Sequence, residues 1–302
     1  MNKKTILITG ATGFIGGYIT AALTARGDEF IALTTNAGSA KKKLPGAKKI
    51  VELNDIQLLK LEKIDAIINL AGRNLADKRW NDKFKQELCD SRIRTTRSIV
   101  ELISIMEQKP EALISASGTD YYGDTGDKDI YEDAPHAHDF MGMLCNDWES
   151  EAFKAEKMGV RVVVLRTSFV IAKDSNAAKK FAMPFRFFLG GPIGGGKQFM
   201  SWIHIDDVVG IYLFALDNPA VKGAVNATSP NPKTMKDFCK TMAGKLHRPS
   251  LFPVPGFAVK IIAGEMAQVV LSGRKALPKK IIELGYKFKF ERAADAWKEA
   301  FE

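Results

Sequence analysis

A glycine-rich turn near the start of the chain constrains the fold more than any other feature of the sequence. The stretch TGATGFIG has glycines at positions 10, 13 and 16. It follows an apolar run, residues 5–9, and precedes a segment with helical spacing. In a strand, tight turn and helix of this kind, the free N–H groups at the helix N-terminus receive a pyrophosphate. The sequence therefore predicts a dinucleotide site at the first turn.

Apolar runs and helical patterns alternate along the first three quarters of the chain. Predicted strands cover residues 5–9, 30–34, 49–53, 66–70, 112–116, 160–165 and 224–228, and predicted helices cover residues 13–26, 82–106, 143–158 and 206–216. The predicted strands are apolar along their length, as is typical of parallel strands that helices cover on both faces. The pattern predicts an α/β fold with a doubly wound parallel sheet of the Rossmann type.

The pattern changes after residue 228. Short helical segments and proline-rich connections follow, and they end in the aromatic run 286–290 and a last helix. We therefore expect a Rossmann domain over residues 1–228 and a small, mostly helical C-terminal lobe over residues 229–302. The glycine-rich segment 190–197 is expected to be a mobile flap over the substrate cleft, because glycine is costly to order without a ligand.

The chain is basic, with a formal net charge of +9. Its lysines and arginines are dispersed, and the one dense run, residues 41–43 with Lys48 and Lys49 behind it, has no interleaved aromatic side chains that could stack on bases. This distribution disfavours nucleic acid and leaves a solvated basic face or attraction of anionic small ligands. We expect a small-molecule substrate, sugar-like or anionic, and leave an oligomer open.

Cysteine content and the length of the apolar runs indicate in which cellular compartment the protein is expected. The chain has three cysteines and no CxxC pair, which favours neither a disulfide framework nor a thiolate zinc site. The longest apolar stretch, residues 208–216, is far shorter than the ~20 residues that span a bilayer. We expect a cytoplasmic protein that begins at its own N-terminus, with no membrane partner and no metal.

The choice between NAD and NADP is made where the second strand ends. Thr34 and Thr35 occupy that place, and no Asp or Glu lies between residues 30 and 50, where a carboxylate would bind the ribose 2′-hydroxyl of NAD. The lysines at 41–43, 48 and 49 offer positive charge to a 2′-phosphate, although they are equally consistent with a solvated helix. NADP is favoured, and NAD stays open because no arginine follows the strand directly.

The carboxyl ends of the predicted strands should form one crevice. Gly10, Thr35, Ala71 and Ser117 each follow a different strand and are expected to line it. The predicted cofactor-binding residues are Gly10, Thr12, Gly13, Phe14, Ile15, Thr34, Thr35, Leu70, Ala71, Gly72 and Arg166.

Several motifs together resemble the extended short-chain dehydrogenase/reductases. They are TGATGFIG (9–16), NLAG (69–72), SAS (115–117) with YYG (121–123), LRT (165–167) and IHIDD (203–207). Longer strings resemble the atypical "epimerase family protein" branch of the NAD-dependent epimerase/dehydratase superfamily, which has its own C-terminal domain. They include SRIRTT (91–96), CNDWE (145–149), GGPIGGGKQFMSWIH (190–204) and GEMAQVVLSGRKALPKK (264–280). The resemblance implies a Rossmann fold and a nicotinamide cofactor, and it supplies no substrate.

The resemblance also implies a catalytic pair that the sequence lacks. Short-chain dehydrogenases use a tyrosine as general acid/base, with a lysine four residues later that lowers its pKa. None of the six tyrosines has a lysine at that spacing. Counting back eight residues from Glu149, as the extended pattern does, places Met141 at the tyrosine position and Cys145 at the lysine position.

Three hydroxyl groups could replace the missing pair. Ser117, Tyr121 and Tyr122 follow the fifth strand and are the candidate catalytic residues, although packing of either tyrosine would explain it equally well. Cys145 and His204 are next in order. The sequence thus indicates an NADP-preferring, sugar-epimerase-like oxidoreductase of unknown substrate. The alternative is a catalytically silent NAD(P)-binding sensor or regulatory protein, and whether the chain is an enzyme is left open.

Overall fold

A computed structural model describes residues 3–302 of the chain. The strands are β1 (Thr5–Thr9), β2 (Glu29–Thr34), β3 (Lys49–Glu52), β4 (Ala66–Asn69), β5 (Ala112–Gly118), β6 (Asp129–Ile130), β7 (Arg161–Thr167), β8 (Phe169–Ile171), β9 (Phe199–Met200), β10 (Trp202–His204), β11 (Gly223–Ala227), β12 (Lys233–Thr234) and β13 (Lys275–Ala276). The α-helices are α1 (Phe14–Ala25), α2 (Ala37–Lys43), α3 (Asp82–Ile105), α4 (Phe140–Phe153), α5 (Asn176–Arg186), α6 (Ile205–Asp217), α7 (Met235–Lys245), α8 (Gly256–Ala263), α9 (Ala267–Leu271), α10 (Lys279–Glu283) and α11 (Ala293–Phe301).

Seven parallel strands form the main sheet, in the order β11-β7-β5-β4-β1-β2-β3. The predicted doubly wound parallel sheet is therefore confirmed. After β3 the chain crosses back to pair β4 with the other side of β1, so the strand order reverses between β1 and β4. A crevice opens beyond the carboxyl ends of the strands at such a reversal, and ligands of open α/β sheets bind there.

Successive side chains of a strand point to opposite faces of the sheet, which explains the continuously apolar strands. In β1, Ile6 and Ile8 enter the core beneath α1 and α6, while Leu7 enters the core on the opposite face with Ile99 of α3. Helices cover both faces, so most positions within these strands need an apolar side chain. Each such fully buried side chain stabilises the fold by roughly 1.5–3 kcal/mol.

The helix predicted over residues 143–158 begins earlier and ends in a different geometry. Asp139 starts α4, since its carboxylate accepts a hydrogen bond from the Gly142 N–H at 2.8 Å. The helix continues to Phe153, and a 3-10 segment, Lys154–Met158, completes the predicted stretch. Capping by aspartate is worth about 1 kcal/mol and fixes the start of a helix more firmly than its apolar spacing does.

The region after residue 228 is mostly helical, as predicted, and α7 to α11 account for most of its regular structure. Its core is not confined to that region. Phe238 and Trp297 pack in one cluster with Ile171 and Trp202, which precede residue 228. Packing therefore continues across the expected domain boundary, and the two parts share a core.

The segment 190–197 is attached to its surroundings along its length. The Gly190 carbonyl accepts hydrogen bonds from the N–H groups of Leu251 and Phe252 at 3.1 and 3.2 Å. The Gly194 N–H donates to the Val254 carbonyl at 2.8 Å, and a Cβ at Gly191 would lie 2.1 Å from the Phe252 carbonyl oxygen. These contacts argue against the expected mobile flap, because the glycines serve a close approach of two backbone segments.

Two further statements hold for the described part of the chain. No helix within residues 3–302 has the length and apolar character needed to cross a bilayer. The same residues contain no group of three or more histidine, cysteine or carboxylate side chains arranged to hold a metal. The three cysteines are free thiols.

Candidate active site

A crevice of about 310 Å³ opens at the reversal of strand order. Its walls come from the carboxyl ends of β1, β2 and β4 and from the face of α3 that lies above them. The lining residues are Thr9, Gly10, Ala11, Thr12, Ala32, Leu33, Thr34, Thr35, Leu44, Leu53, Ala71, Gly72, Arg73, Ser91 and Thr95. This is the position and composition expected for a nucleotide site of a doubly wound sheet.

The glycines of the first turn let three backbone segments approach closely. Gly10 has φ of +67°, and a Cβ there would lie 2.7 Å from the Leu70 carbonyl oxygen. A Cβ at Gly16 would lie 2.2 Å from the Gly10 carbonyl oxygen, so α1 packs directly on the turn. Gly13 caps α1 without a side-chain hydrogen bond, and the first turn of the helix has no acidic residue. The N-terminal N–H groups of α1 are thus available to an anion.

A buried hydrogen-bond network fixes the floor of the crevice. The Thr9 hydroxyl donates to Asn69 Oδ1 at 2.7 Å and accepts from the N–H groups of Leu70 and Ala71 at 3.0 and 3.1 Å. The Asn69 amide in turn donates to the hydroxyls of Thr96 and Ser115. These bonds hold β1, β4, β5 and α3 in register beneath the site, and every group in them is satisfied.

The structure gathers most of the predicted cofactor residues at this crevice. Six of them line it: Gly10, Thr12, Thr34, Thr35, Ala71 and Gly72. Gly13 and Phe14 face an adjoining open cavity of about 480 Å³ on the outer side of α1. Ile15 and Leu70 pack against the core of the sheet. Arg166 does not line the crevice; it lies near the carboxyl end of β7 and forms a buried ion pair with Glu149 of α4.

Sequence reasoning missed Arg73, Ser91 and Thr95 in the crevice wall. Arg73 follows the predicted Gly72, and its Nη1 donates to Glu87 of α3 at 2.6 Å. Among the residues that line the crevice, Arg73 supplies a positive charge and no side chain supplies a negative one. Apolar spacing gave no signal for these residues, because their place in the wall depends on how α3 crosses the sheet.

The lysines that favoured NADP fall into two groups. Lys48 and Lys49 pair with Glu29 and Glu62, both at 2.7 Å, near the amino ends of β2 and β3. The expectation that they meet a 2′-phosphate is wrong, because these carboxylates already bind them. The run 41–43 forms the last turn of α2, and the next residue, Leu44, lines the crevice. For this run the expectation stays a prediction.

At the carboxyl end of β5, Ser117 belongs to a buried ion-pair cluster. Its hydroxyl donates to Glu149 Oε1 at 2.7 Å. Glu149 of α4 also accepts two hydrogen bonds from Arg166, at 2.9 and 2.7 Å, and both charged side chains are 4% exposed. Ser117 was expected beside Gly10 and Ala71, but it does not line the crevice.

Tyr122 completes this cluster. Its hydroxyl accepts from Arg166 Nη1 at 2.8 Å and donates to Asn226 Oδ1 at 2.7 Å. Burial raises the pKa of Tyr122 to about 12, despite the neighbouring guanidinium. We call Ser117, Glu149, Arg166, Tyr122 and Asn226 the Arg166 cluster.

Tyr121 differs from its neighbour. Its ring lies flat against the Arg166 guanidinium, with 3.5 Å between the ring centroid and the Cζ atom, and its hydroxyl takes no part in the Arg166 cluster. The side chain is only half-buried. Of the three candidate hydroxyls, Tyr121 is the one that stays available to a ligand.

The positions of the missing catalytic pair hold apolar or neutral groups. Met141 packs in an apolar cluster with Trp80 and Phe84. Cys145 is buried, and burial raises the pKa of its thiol to about 12. A thiol with this pKa stays protonated near neutrality and cannot replace the charge of a lysine.

An ion pair between Asp120 and Arg274 was not predicted. Asp120 follows β5, and Arg274 reaches it from the C-terminal lobe. The pair lies beside Met141 and Trp80 around a cavity of about 10 Å³, the size of one water molecule. The C-terminal lobe therefore closes on the Rossmann domain at the position of the missing tyrosine.

Comparison with known proteins agrees with this architecture. Residues 6–227 match the NAD dependent epimerase/dehydratase family, and residues 254–300 match a domain of unknown function, DUF1731. The chain is 39% identical to the "Epimerase family protein SDR39U1 homolog, chloroplastic" of Arabidopsis thaliana, over 98% of this chain and 86% of that protein. It is 37% identical to "Epimerase family protein YfhF" of Bacillus subtilis, over 94% of each chain.

A solved structure resembles the whole molecule. The crystal structure of human epimerase family protein SDR39U1 (isoform 2) with NADPH has a TM-score of 0.89 and 33% identity, and the match covers 98% of each chain. The Rossmann sheet, the glycine turn at its strand reversal and the matched C-terminal domain agree with these similarities. The chain belongs to the NAD-dependent epimerase/dehydratase family, in the group of the epimerase family proteins.

Proposed function

We propose that the protein is an NADP(H)-dependent oxidoreductase of the sugar-epimerase type, acting on a small sugar-like or anionic molecule. The crevice carries the proposal, because its glycine turn and the uncapped N-terminus of α1 form a cradle for a pyrophosphate. The human relative with 33% identity was crystallised with NADPH, which supports the same cofactor here. The three free thiols support a reducing compartment such as the cytoplasm.

The cradle fits a dinucleotide in its backbone geometry. A Cβ at Gly13 would meet only the Gly10 carbonyl oxygen, at 3.1 Å, and would otherwise project into open space where a pyrophosphate passes. The N–H groups of Thr12, Phe14 and Ile15 would hold the phosphates, since the Gly13 N–H already donates to the Gly10 carbonyl at 2.9 Å. The adenine ribose would lie against Thr34 and Thr35, and Ala71 and Gly72 would line the opposite wall. When bound, the nicotinamide ring donates or accepts a hydride.

The charge of the crevice supports NADP over NAD. No carboxylate lines the crevice within the described chain, so a 2′-phosphate would meet no repulsion there. The nearest acidic candidate, Glu52 at the end of β3, accepts a hydrogen bond from the Ala37 N–H at 3.0 Å and is directed to α2. Among the described residues, Arg73 supplies the one cationic side chain of the crevice wall, where its Nη1 is paired with Glu87 at 2.6 Å. NAD stays the alternative cofactor.

Calorimetric titration tests this proposal. We expect NADPH to bind at least about tenfold more tightly than NADH, which is about 1.4 kcal/mol, and most of that difference to vanish in Arg73→Gln. Lys49→Gln is the matched control, because Lys49 pairs with Glu62 away from the crevice. Equal affinities for the two nucleotides, or tighter NADH binding, would contradict the NADP assignment. Failure of both nucleotides to bind would contradict the function itself.

We propose Tyr121 as the group that moves the proton, with Ser117 and Tyr122 as positioning residues. The Arg166 guanidinium lies on the Tyr121 ring, and the hydroxyls of Ser117 and Tyr122 take part in holding that guanidinium and its partner Glu149. Oxidation of NADPH with a panel of sugar and carbonyl compounds is the assay. Tyr121→Phe should abolish turnover and leave NADPH affinity unchanged; a fully active Tyr121→Phe enzyme would exclude this role.

A second candidate is a cofactor-binding sensor or regulatory protein without turnover. The observation that favours it is the replacement of the tyrosine and lysine positions by Met141 and a protonated Cys145. Tight NADPH binding without oxidation of NADPH by any compound of the panel would favour the sensor.

A further inference from the structure

Much of the chain's positive charge lies in two segments that the proposed site does not use. Residues 175–205 and 238–264 contain eight lysines and arginines, four in each segment, and no aspartate or glutamate. The formal net charge of the whole chain is +9. The basicity of this protein is therefore concentrated in α5, α7, α8 and the loops that join them.

These eight cations are uncompensated. Some lysines elsewhere in the described chain pair with carboxylates, as Lys48 does with Glu29 and Lys85 with Glu265. None of the eight forms an ion pair with a carboxylate among residues 3–302. Their field is directed outward and attracts an anionic partner.

The same segments expose large apolar side chains. The residues are 187–189 (Phe, Phe, Leu), 251–252 (Leu, Phe), Phe257, Ile261 and Ile262, and each is between 54% and 79% exposed. We call this set the apolar face. Monomeric soluble proteins rarely expose apolar surface in such a cluster, and larger patches mark a binding surface for a protein or a membrane.

Backbone contacts hold the members of the apolar face together. The Gly190 carbonyl accepts from the N–H groups of Leu251 and Phe252, which places these two residues beside the Phe-Phe-Leu run. Helix α8 begins four residues after Phe252, and it has no buried residue. On the outer side of α8, Phe257, Ile261 and Ile262 are each at least 67% exposed.

Cations lie among the apolar side chains. The Arg248 guanidinium lies 4.5 Å from the centroid of the Phe188 ring. Arg186 directly precedes the Phe-Phe-Leu run, and Lys260 lies between Phe257 and Ile261 on α8. An exposed apolar centre with interspersed lysine and arginine is the composition of helices and loops that lie in the headgroup region of an anionic membrane.

We propose that the apolar face docks on an anionic lipid surface. A second copy of the chain is disfavoured as the occupant, because a symmetric contact would bring Arg186, Arg248 and Lys260 against the same cations of the other copy. Anionic headgroups match these cations, and the acyl region beneath them receives the aromatic and aliphatic side chains. Such docking is peripheral, and it departs from the expectation that the protein has no membrane partner.

Sedimentation with lipid vesicles tests the proposal on the full chain. Vesicles of phosphatidylglycerol and phosphatidylcholine should pellet the protein at about 0.1 M NaCl, whereas vesicles of phosphatidylcholine alone should leave it in solution. The double variant Phe257→Ser, Ile262→Ser should lower the bound fraction at least about fivefold. Its matched control is Leu58→Ser, Leu61→Ser, since these leucines are 67% and 68% exposed on the 3-10 segment Leu53–Leu59 and just beyond it.

Three results would overturn the proposal. The first is wild-type protein that stays in solution with phosphatidylglycerol vesicles, and the second is equal loss of binding in the control variant. The third is a dimer, measured by light scattering, that the Phe257→Ser, Ile262→Ser variant converts to a monomer, since a second copy would then cover the face. NADPH affinity should be the same in both variants and in the wild type, which separates this test from that of the proposed function.

Discussion

The crevice at β1 and β4 and the Arg166 cluster at the carboxyl ends of β5 and β7 lie at the same end of one sheet, yet their polar groups are arranged in opposite ways. In the crevice, the helix N-terminus of α1 has no side-chain cap and the wall leaves space. In the Arg166 cluster, the charges and hydroxyls are bonded to one another. Unpaired polar groups around a space indicate a ligand site, whereas a closed network indicates internal support.

The two regions also differ in the free-energy cost of their polar groups. Free N–H groups in a crevice that is open to solvent cost little, because water can bond to them until a phosphate binds. Burying Arg166 and Glu149 requires the removal of both charges from water, which is offset only by a two-point hydrogen bond and by the partners around it. Loss of either partner therefore leaves a buried charge without compensation.

Glu149→Ala should produce the largest change in stability. It leaves the Arg166 guanidinium buried without its carboxylate, and we expect the free energy of unfolding to fall by about 3–5 kcal/mol. Denaturant unfolding measures this. Glu62→Ala is the control, because the pair of Lys49 and Glu62 is partly exposed and should contribute less than about 1 kcal/mol.

Equal losses of unfolding free energy in the two variants would contradict the comparison, since the ion pair of Arg166 and Glu149 would then contribute no more than a surface pair. A Glu149→Ala protein of wild-type stability would have the same meaning.

The pH dependence of stability should reveal the raised pKa of the buried Cys145 thiol. Its thiol has a pKa of about 12 in the folded protein against an ordinary value of 9.0, so the unfolded chain loses this proton first as pH rises. The stabilisation is complete below pH 9 and is lost as pH rises toward 12. Between about pH 8 and about pH 11, the wild type should lose about 2–3 kcal/mol more stability than Cys145→Ala.

Urea unfolding of both proteins at the two pH values measures the difference. Parallel losses in the wild type and the variant would show that the thiol ionises equally easily in the folded and unfolded chains.

The adjacent tyrosines provide a smaller and more local contrast. Tyr122→Phe removes a hydroxyl that is bonded to Arg166 and Asn226, and we expect a loss of about 1–3 kcal/mol. Tyr121→Phe keeps the ring on the guanidinium and should change stability by less than about 0.5 kcal/mol. Thermal and denaturant unfolding check both values, and a larger effect in Tyr121→Phe would invert the assignment of the two side chains.

The sheet and the crevice could be predicted because local rules decide them. Apolar runs predict the strands, and the glycine turn marks the first strand end. In a parallel sheet these strand ends meet at one edge, which places Gly10, Thr35 and Ala71 together. Family resemblance added the C-terminal domain. Arg73 was missed because its place in the wall depends on how α3 crosses the sheet, which apolar spacing does not specify.

The Arg166 cluster could not be predicted, because its bonds join residues far apart in the sequence. Ser117 and Glu149 are 32 residues apart, and Tyr122 and Asn226 are 104 apart. The sequence shows the functional groups but not whether they face a ligand or one another. Lys48 and Lys49 were misplaced for a related reason, since they pair with Glu29 and Glu62, and the sequence does not show these pairings.

The most direct test is NADPH binding, measured by calorimetry, to two variants at the two regions. Gly13→Asp places a carboxylate where the pyrophosphate should lie, whereas Ser117→Ala removes a hydroxyl from the Arg166 cluster and leaves the crevice intact. Gly13→Asp should lose binding by more than about 100-fold with an unchanged circular dichroism spectrum, and Ser117→Ala should bind NADPH as the wild type does. Retained binding in Gly13→Asp, or its loss in a folded Ser117→Ala protein, would contradict the separation of a ligand-receiving crevice from an internal support.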